Sequence, residues 1–177
     1  MANMSIALQW AKRLDPTRIA LLQAIFGGAV LGSAYGFQHL GGLQPCALCL
    51  YQRWPWWIAI GLGLAAALLR SNPGVQKVIV SLASLSILVG AGVAGFHVGV
   101  EQHWWPGFAS CGGVSDMPMT VEALKQQIMN APVVRCDEVA WSLMGLSIAG
   151  YNMLLSLALG LGGLVFLWRR GTDGDAA

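Results

Sequence analysis

Long apolar runs separated by short polar segments dominate this chain. From Ile19 to Phe37 only Gln23, Ser33 and Tyr35 carry polar side-chain atoms. At about 1.5 Å per helical residue that run nearly crosses a hydrocarbon core of roughly 30 Å. A second run spans Leu50 to Leu69, closed by Arg70 and the turn sequence Ser71-Asn72-Pro73-Gly74; a third spans Val78 to Val100. The fourth, Trp141 to Trp168, has a tryptophan at each end in the position of an interfacial anchor. The pattern predicts an all-α fold: one integral membrane four-helix bundle, residues 1–177, with spans at about 19–37, 50–69, 78–100 and 141–168. Loops at about 38–49 and 101–140 then share one face of the membrane. Pro55 lies inside the second run, where its missing N–H predicts a kink or a fresh helix start.

The basic lead Met1 to Arg18 before an apolar run has the outline of a signal peptide. This run exceeds a signal-peptide core in length and three more follow it, so it reads as an uncleaved first span. Gly28, Gly32 and Gly36 recur every fourth residue on that span, as do Ala91, Gly95 and Gly99 on the third. Such spacing allows close backbone approach between helices in lipid. The polar segment from Glu101 to Ala140 holds Pro106, Pro118, Pro132 and most of the acidic residues. Within it Val121, Leu124 and Ile128 share one helical face, predicting a short amphipathic helix from about Val121 to Met129 lying on the membrane surface.

Composition agrees with a membrane protein. Hydrophobic residues make up 56% of the chain and charged residues 10%, against roughly 25% charged in soluble domains, and mean hydropathy is +0.61. A net charge of +2 with scattered Lys and Arg gives no nucleic-acid footprint. Lys12, Arg13, Arg18, Arg70, Lys77, Arg169 and Arg170 fall on one side of the predicted membrane and only Arg53, Lys125 and Arg135 on the other. The positive-inside rule therefore puts both termini in the cytoplasm and all four cysteines, Cys46, Cys49, Cys111 and Cys136, on the opposite face. Disulfides persist on that oxidising side.

Four cysteines allow three pairings. Cys46, Cys49 and Arg53 fall at i, i+3 and i+7 of a helix starting near Pro45, on one face. A thiol in a first helical turn beside a permanent positive charge favours thiolate, so the group reads as a reactive redox pair with Cys49 partly ionised. A structural disulfide and half of a metal site are the alternatives, although zinc sites normally add a second short-spaced pair, which Cys111 and Cys136 do not form. A bond between Cys111 and Cys136 would staple the amphipathic helix. Two pairs on one face also permit thiol–disulfide exchange between them. Arg53 reads either as a lipid-facing arginine or as the charge beside a thiolate or quinone oxygen. His97 is a helix-end histidine or a cofactor contact. Trp54, Trp56, Trp57, Trp104 and Trp105 read as an aromatic belt rather than a site wall. A haem protein would need histidines facing each other within the spans, and His39, His97 and His103 lie at or beyond span ends.

Cys46-Ala-Leu-Cys-Leu-Tyr-Gln-Arg53 resembles the Cys-x-Leu-Cys-x-x-x-Arg signature of the disulfide bond formation protein B (DsbB) family. So does Trp105-Pro-Gly-Phe-Ala-Ser-Cys111 ahead of a polar loop closed by Cys136. The resemblance covers nearly the whole chain and departs from the best-known members at Pro55 and over residues 112–119. It implies a quinone-dependent thiol oxidase of the bacterial inner membrane that reoxidises a periplasmic thioredoxin-fold partner, DsbA-like, and uses ubiquinone or menaquinone. On that resemblance Cys111 takes the partner's attack, Cys136 resolves the mixed disulfide and exchanges with Cys46, Cys49 faces the quinone with Arg53, and His97 lies close by. Two other expectations are an inert scaffold with two disulfides and a vitamin K epoxide reductase-like enzyme. The latter usually carries its quinone-side pair late in the chain, whereas here it opens the second span.

Overall fold

The computed structural model describes residues 15–108, 111, 120–122 and 134–174. Helix α1 runs Pro16–His39. Asp15 caps it by accepting the Arg18 N–H at 2.8 Å, and Pro16 occupies the first position, where no N–H is needed. The second apolar run folds in two pieces, α2 Ala47–Tyr51 and α3 Arg53–Leu68. Pro55 explains the division: it has no N–H to give the carbonyl of Tyr51 one turn back, so the ladder is interrupted at Gln52. In the first turn of α3 the same missing N–H leaves nothing unpaired.

Helix α4, Pro73–Glu101, begins five residues ahead of the predicted Val78. Asn72 caps it, accepting from the N–H groups of Gly74 and Val75 at 3.0 and 3.2 Å, so residues that read as a turn are the cap and first turn of a helix. The expected fourth helix from Trp141 starts later, as α5, Ile148–Gly174. Ahead of it lie two short antiparallel strands, β1 Ser142–Leu143 and β2 Leu146–Ser147. Met144 and Gly145 between them both have positive φ, 51° and 79°, the pattern of a type I′ hairpin turn. The hairpin corrects the all-helical reading of residues 141–147. It also brings Ser147 into place to cap α5, accepting the Gly150 N–H at 3.1 Å.

Helix α4 packs along α5 and α3, and α1 packs on α3 and α4. Three clusters fill the space between them: Ala20, Ala66, Ile79 and Val80 at one end, Leu31, Trp56, Ala59 and Ile87 midway, and Cys46, Leu48, Val100, Cys111 and Cys136 at the other. Gln23 crosses the helices, donating to Ser84 Oγ at 2.9 Å and to the Leu159 carbonyl at 3.3 Å. Outward faces stay apolar, with Ile25, Phe26, Leu64, Leu68, Val78, Val89 and Leu161 all exposed. So much exposed apolar surface suits lipid rather than water. Helices α1, α4 and α5 are each long and apolar enough to cross a membrane. Helix α3, at 16 residues, spans only about 24 Å by itself.

Close helix approach does not use the expected stripe on α1. A Cβ on Gly28, Gly32 or Gly36 would stand in open space. The contacts fall elsewhere: a Cβ on Gly63 would lie 2.6 Å from Ala24 Cβ and 2.7 Å from the Ala20 carbonyl oxygen, and one on Gly160 would lie 3.1 Å from the Ser84 carbonyl oxygen. Spacing alone marks several faces of a glycine-rich helix as small, and packing selects among them. The amphipathic helix expected at residues 121–129 is helical at Val121 and Glu122; the rest lies outside the described residues. Gly63→Val is expected to lose about 1–3 kcal/mol of stability through overpacking, read by thermal unfolding in detergent. Gly61→Val, whose Cβ would meet nothing within 4 Å, serves as the control, and equal losses would contradict this packing.

Candidate active site

Cys46 is the N-cap of α2, with extended backbone, and its sulfur accepts the Cys49 N–H at 3.3 Å. The same turn of helix brings the Cys49 thiol to 2.8 Å from Cys46 Sγ. Both are free thiols, Cys46 buried and Cys49 half-buried. From α4, His97 places Nε2 3.6 Å from Cys46 Sγ. Cys111 and Cys136 form a disulfide with a Cα–Cα distance of 5.2 Å. Cys46, Cys111 and Cys136 are buried in one cluster with Leu48 and Val100, and Cys49 packs against it. Residues distant in sequence thus bring all four sulfurs together.

The two thiols differ in charge. Above all, the hydrogen bond from the Cys49 thiol holds Cys46 down; burial opposes this, and the hydrogen bond from His97 assists it, leaving Cys46 at about 5. Cys49 goes up, because its proton is held in that same bond and because burial and the neighbouring sulfur's charge disfavour a second anion. The ionisation expected at Cys49 therefore falls on Cys46.

Cys49, in turn, lines a cavity of about 370 Å³ together with Arg53 and His97. That volume lies in the range of small-molecule sites. Val30, Leu31, Phe37, Trp56, Trp141 and Leu155 supply its apolar walls. Arg53 donates to Gln38 Oε1 at 2.9 Å and stacks 4.6 Å over the Tyr35 ring. It pairs with no carboxylate among the described residues, so its charge is directed at the cavity rather than neutralised. Trp56 is fully buried, which moves it from the expected belt to the site wall; Trp54 and Trp57 remain exposed.

Three polar residues escaped the sequence reading. Gln52 Nε2 lies 2.8 Å from His97 Nδ1, Asn152 Nδ2 donates to Gln52 Oε1 at 2.8 Å, and the Trp56 indole N–H donates to Asn152 Oδ1 at 2.9 Å. Glu101, buried on α4, accepts from Ser147 Oγ and places Oε1 3.9 Å from His97 Nε2. The available signal was a lone amide, Asn152, in an otherwise apolar run, since polar groups in such runs are costly to keep. Cys46 Sγ, Cys49 Sγ and His97 Nε2 also lie within 4.8 Å of one another, ligand types suited to a soft cation.

Apolar helices long enough to span a membrane, carrying one disulfide packed against a free thiol pair, define a membrane protein built for thiol chemistry. Residues 16–166 match the family model described as disulfide bond formation protein DsbB. The chain belongs to that family, and it is a membrane protein of disulfide bond formation. It is 30% identical to a disulfide bond formation protein B of Nitrosococcus oceani over 98% of each chain. With one from Verminephrobacter eiseniae it is 34% identical over 93% of this chain and 92% of the relative. An uncharacterized protein of Rickettsia prowazekii is 28% identical over 77% of each. No solved structure matches the chain.

Alkylation of the reduced pair, mapped by mass spectrometry, is expected to rise at Cys46 through pH of about 5 and level off above it. Cys49 should react only in alkaline solution. Removing the principal donor with Cys49→Ala should move the Cys46 midpoint upward. If Cys49 titrates first, the charge assignment is wrong.

Proposed function

We infer that this chain is a four-span protein of the bacterial inner membrane, termini cytoplasmic and cysteines periplasmic, that oxidises a DsbA-like thioredoxin-fold dithiol and delivers the electrons to ubiquinone or menaquinone. One observation carries the reading: the four sulfurs are packed together, and only Cys49 of the free pair opens onto an apolar cavity that also holds an unneutralised arginine. Charge asymmetry between the loops supports the orientation. The second span then runs from the end of α2 through α3, with Cys46 and Cys49 at its periplasmic end.

Exchange proceeds by thiolate attack at sulfur. The partner's thiolate attacks Cys111, breaking the Cys111–Cys136 bond, and Cys136 leaves as thiolate. Cys136 attacks Cys46 of an oxidised Cys46–Cys49 pair, and Cys49 leaves toward the cavity. The partner's second thiolate then attacks its own sulfur in the mixed disulfide, giving the partner a disulfide and freeing Cys111. Cys111 finally displaces Cys46 from Cys136, restoring the loop disulfide. Two electrons now reside on the reduced pair, Cys49 as thiol and Cys46 as thiolate, with the second proton released to solvent. The described state, with Cys111–Cys136 closed and Cys46 and Cys49 free, corresponds to this point.

A lipid quinone, when bound, supplies a two-electron, two-proton acceptor with two carbonyl oxygens. The cavity residues suit such a group: flat aromatic walls from Phe37, Trp56 and Trp141, and guanidinium donors from Arg53. Arg53 stabilises negative charge at an oxygen, and Cys49 holds its proton beside the cavity. Loss of the electron pair rejoins Cys46 and Cys49 as a disulfide.

The test is purified protein with a reduced thioredoxin-fold partner and a soluble quinone, followed by quinone absorbance. Cys49→Ser should abolish turnover. Arg53→Ala should slow quinone reduction by about a hundredfold, the scale for removing one charge-stabilising donor, while partner exchange is nearly unchanged. Equal losses in both steps would remove Arg53 from this role, and quinone left unreduced by the unaltered protein would favour the inert scaffold.

A further inference from the structure

Hydrogen bonds have direction, and two groups at this site can point only one way. An indole N–H donates and cannot accept; a backbone carbonyl accepts and cannot donate. The Trp56 indole N–H meets Asn152 at 2.9 Å, which makes the atom facing it Oδ1 and turns the Asn152 amide nitrogen to Gln52. At the other end the Leu48 carbonyl lies 3.2 Å from the Gln52 side chain, which requires Nε2 there and leaves Oε1 to receive Asn152. Both ends demand the same orientation of Gln52. Its Nε2 then donates to His97 Nδ1 at 2.8 Å.

We propose that this polarised chain, Trp56 to Asn152 to Gln52, held also by the Leu48 carbonyl, positions His97 as a neutral ring with its proton on Nε2, donating to the Cys46 sulfur. The far side of the ring agrees independently. Around Nε2 stand the Cys46 sulfur at 3.6 Å and Glu101 Oε1 at 3.9 Å, and the Cys136 backbone is a further hydrogen-bond partner of the ring. Cys46 and Glu101 accept, and a proton on Nε2 serves them; Nδ1 faces the Gln52 donor and needs a lone pair.

One consequence concerns the Cys46, Cys49 and His97 cluster. Its spacing would admit a cation, but the nitrogen a cation needs already carries the proton, and moving that proton to Nδ1 would set it against the Gln52 N–H. The chain thus keeps the cluster as a thiolate site. The tautomer stands on geometry alone; its value to sulfur exchange rests on the function proposed above.

The measurement is the ¹⁵N spectrum of histidine-labelled, reduced protein in lipid nanodiscs at neutral pH, with His97 assigned by its loss in His97→Asn. Expected are a protonated Nε2 and an unprotonated Nδ1. Closing the Cys46–Cys49 disulfide should shift the Nε2 signal while Nδ1 stays unprotonated. Gln52→Glu puts an ionised group that only accepts opposite Nδ1, so in that variant the Nδ1 signal should move to the protonated position. A protonated Nδ1 in the unaltered protein would overturn the proposal, as would a folded Gln52→Glu variant that leaves Nδ1 unprotonated. If that variant does not fold, the unaltered spectrum decides. Neither quinone nor partner enters the measurement, so this proposal and the proposed function fail separately.

Discussion

Cys46 stands at the N-cap of α2 with extended backbone, and the rest of the site depends on the contacts that position gives its sulfur. It accepts the Cys49 N–H at 3.3 Å and, as an anion, the proton of the Cys49 thiol 2.8 Å away. Pro55, with no N–H for the Tyr51 carbonyl, ends the short α2 at Gln52. A sulfur that receives two hydrogen bonds at once is favoured as an anion, and its neighbour is disfavoured as one by the same contacts.

Burial then separates the roles of the two sulfurs. Cys46 is enclosed with the loop disulfide, whereas Cys49 sits at the edge of the apolar cavity. One turn of helix thus places one sulfur against the disulfide and the other at the cavity. Arg53, held by Gln38 and Tyr35 on α1, adds a fixed charge to the cavity at the cost of keeping a guanidinium at the apolar boundary.

Polar groups in so apolar a setting must find partners, because water is not there to supply them. Gln52, Asn152, Trp56 and His97 meet that demand by pairing with one another from three stretches of chain. Few arrangements satisfy every donor and acceptor among them, so the network orders the ring as well as stabilising it.

Apolar runs of helical length determined that the chain enters lipid, and Pro55 within the second run marked a fresh helix start; the Asp15 and Asn72 caps, which begin α1 and α4 ahead of the apolar runs, came from the structure. The Cys46 motif and the cysteine order carried the family. What the sequence left open was decided by packing between distant segments. Small residues on α1 mark several possible contact faces, and only the approach of α3 selected one. The Ser142–Ser147 hairpin interrupts a run that reads as helix, and its turn at Met144 and Gly145 brings Ser147 to cap α5 and to meet Glu101. His97, Gln52 and Asn152 become one network only when three helices meet, since hydrogen bonds depend on distance in space and the sequence records only distance along the chain.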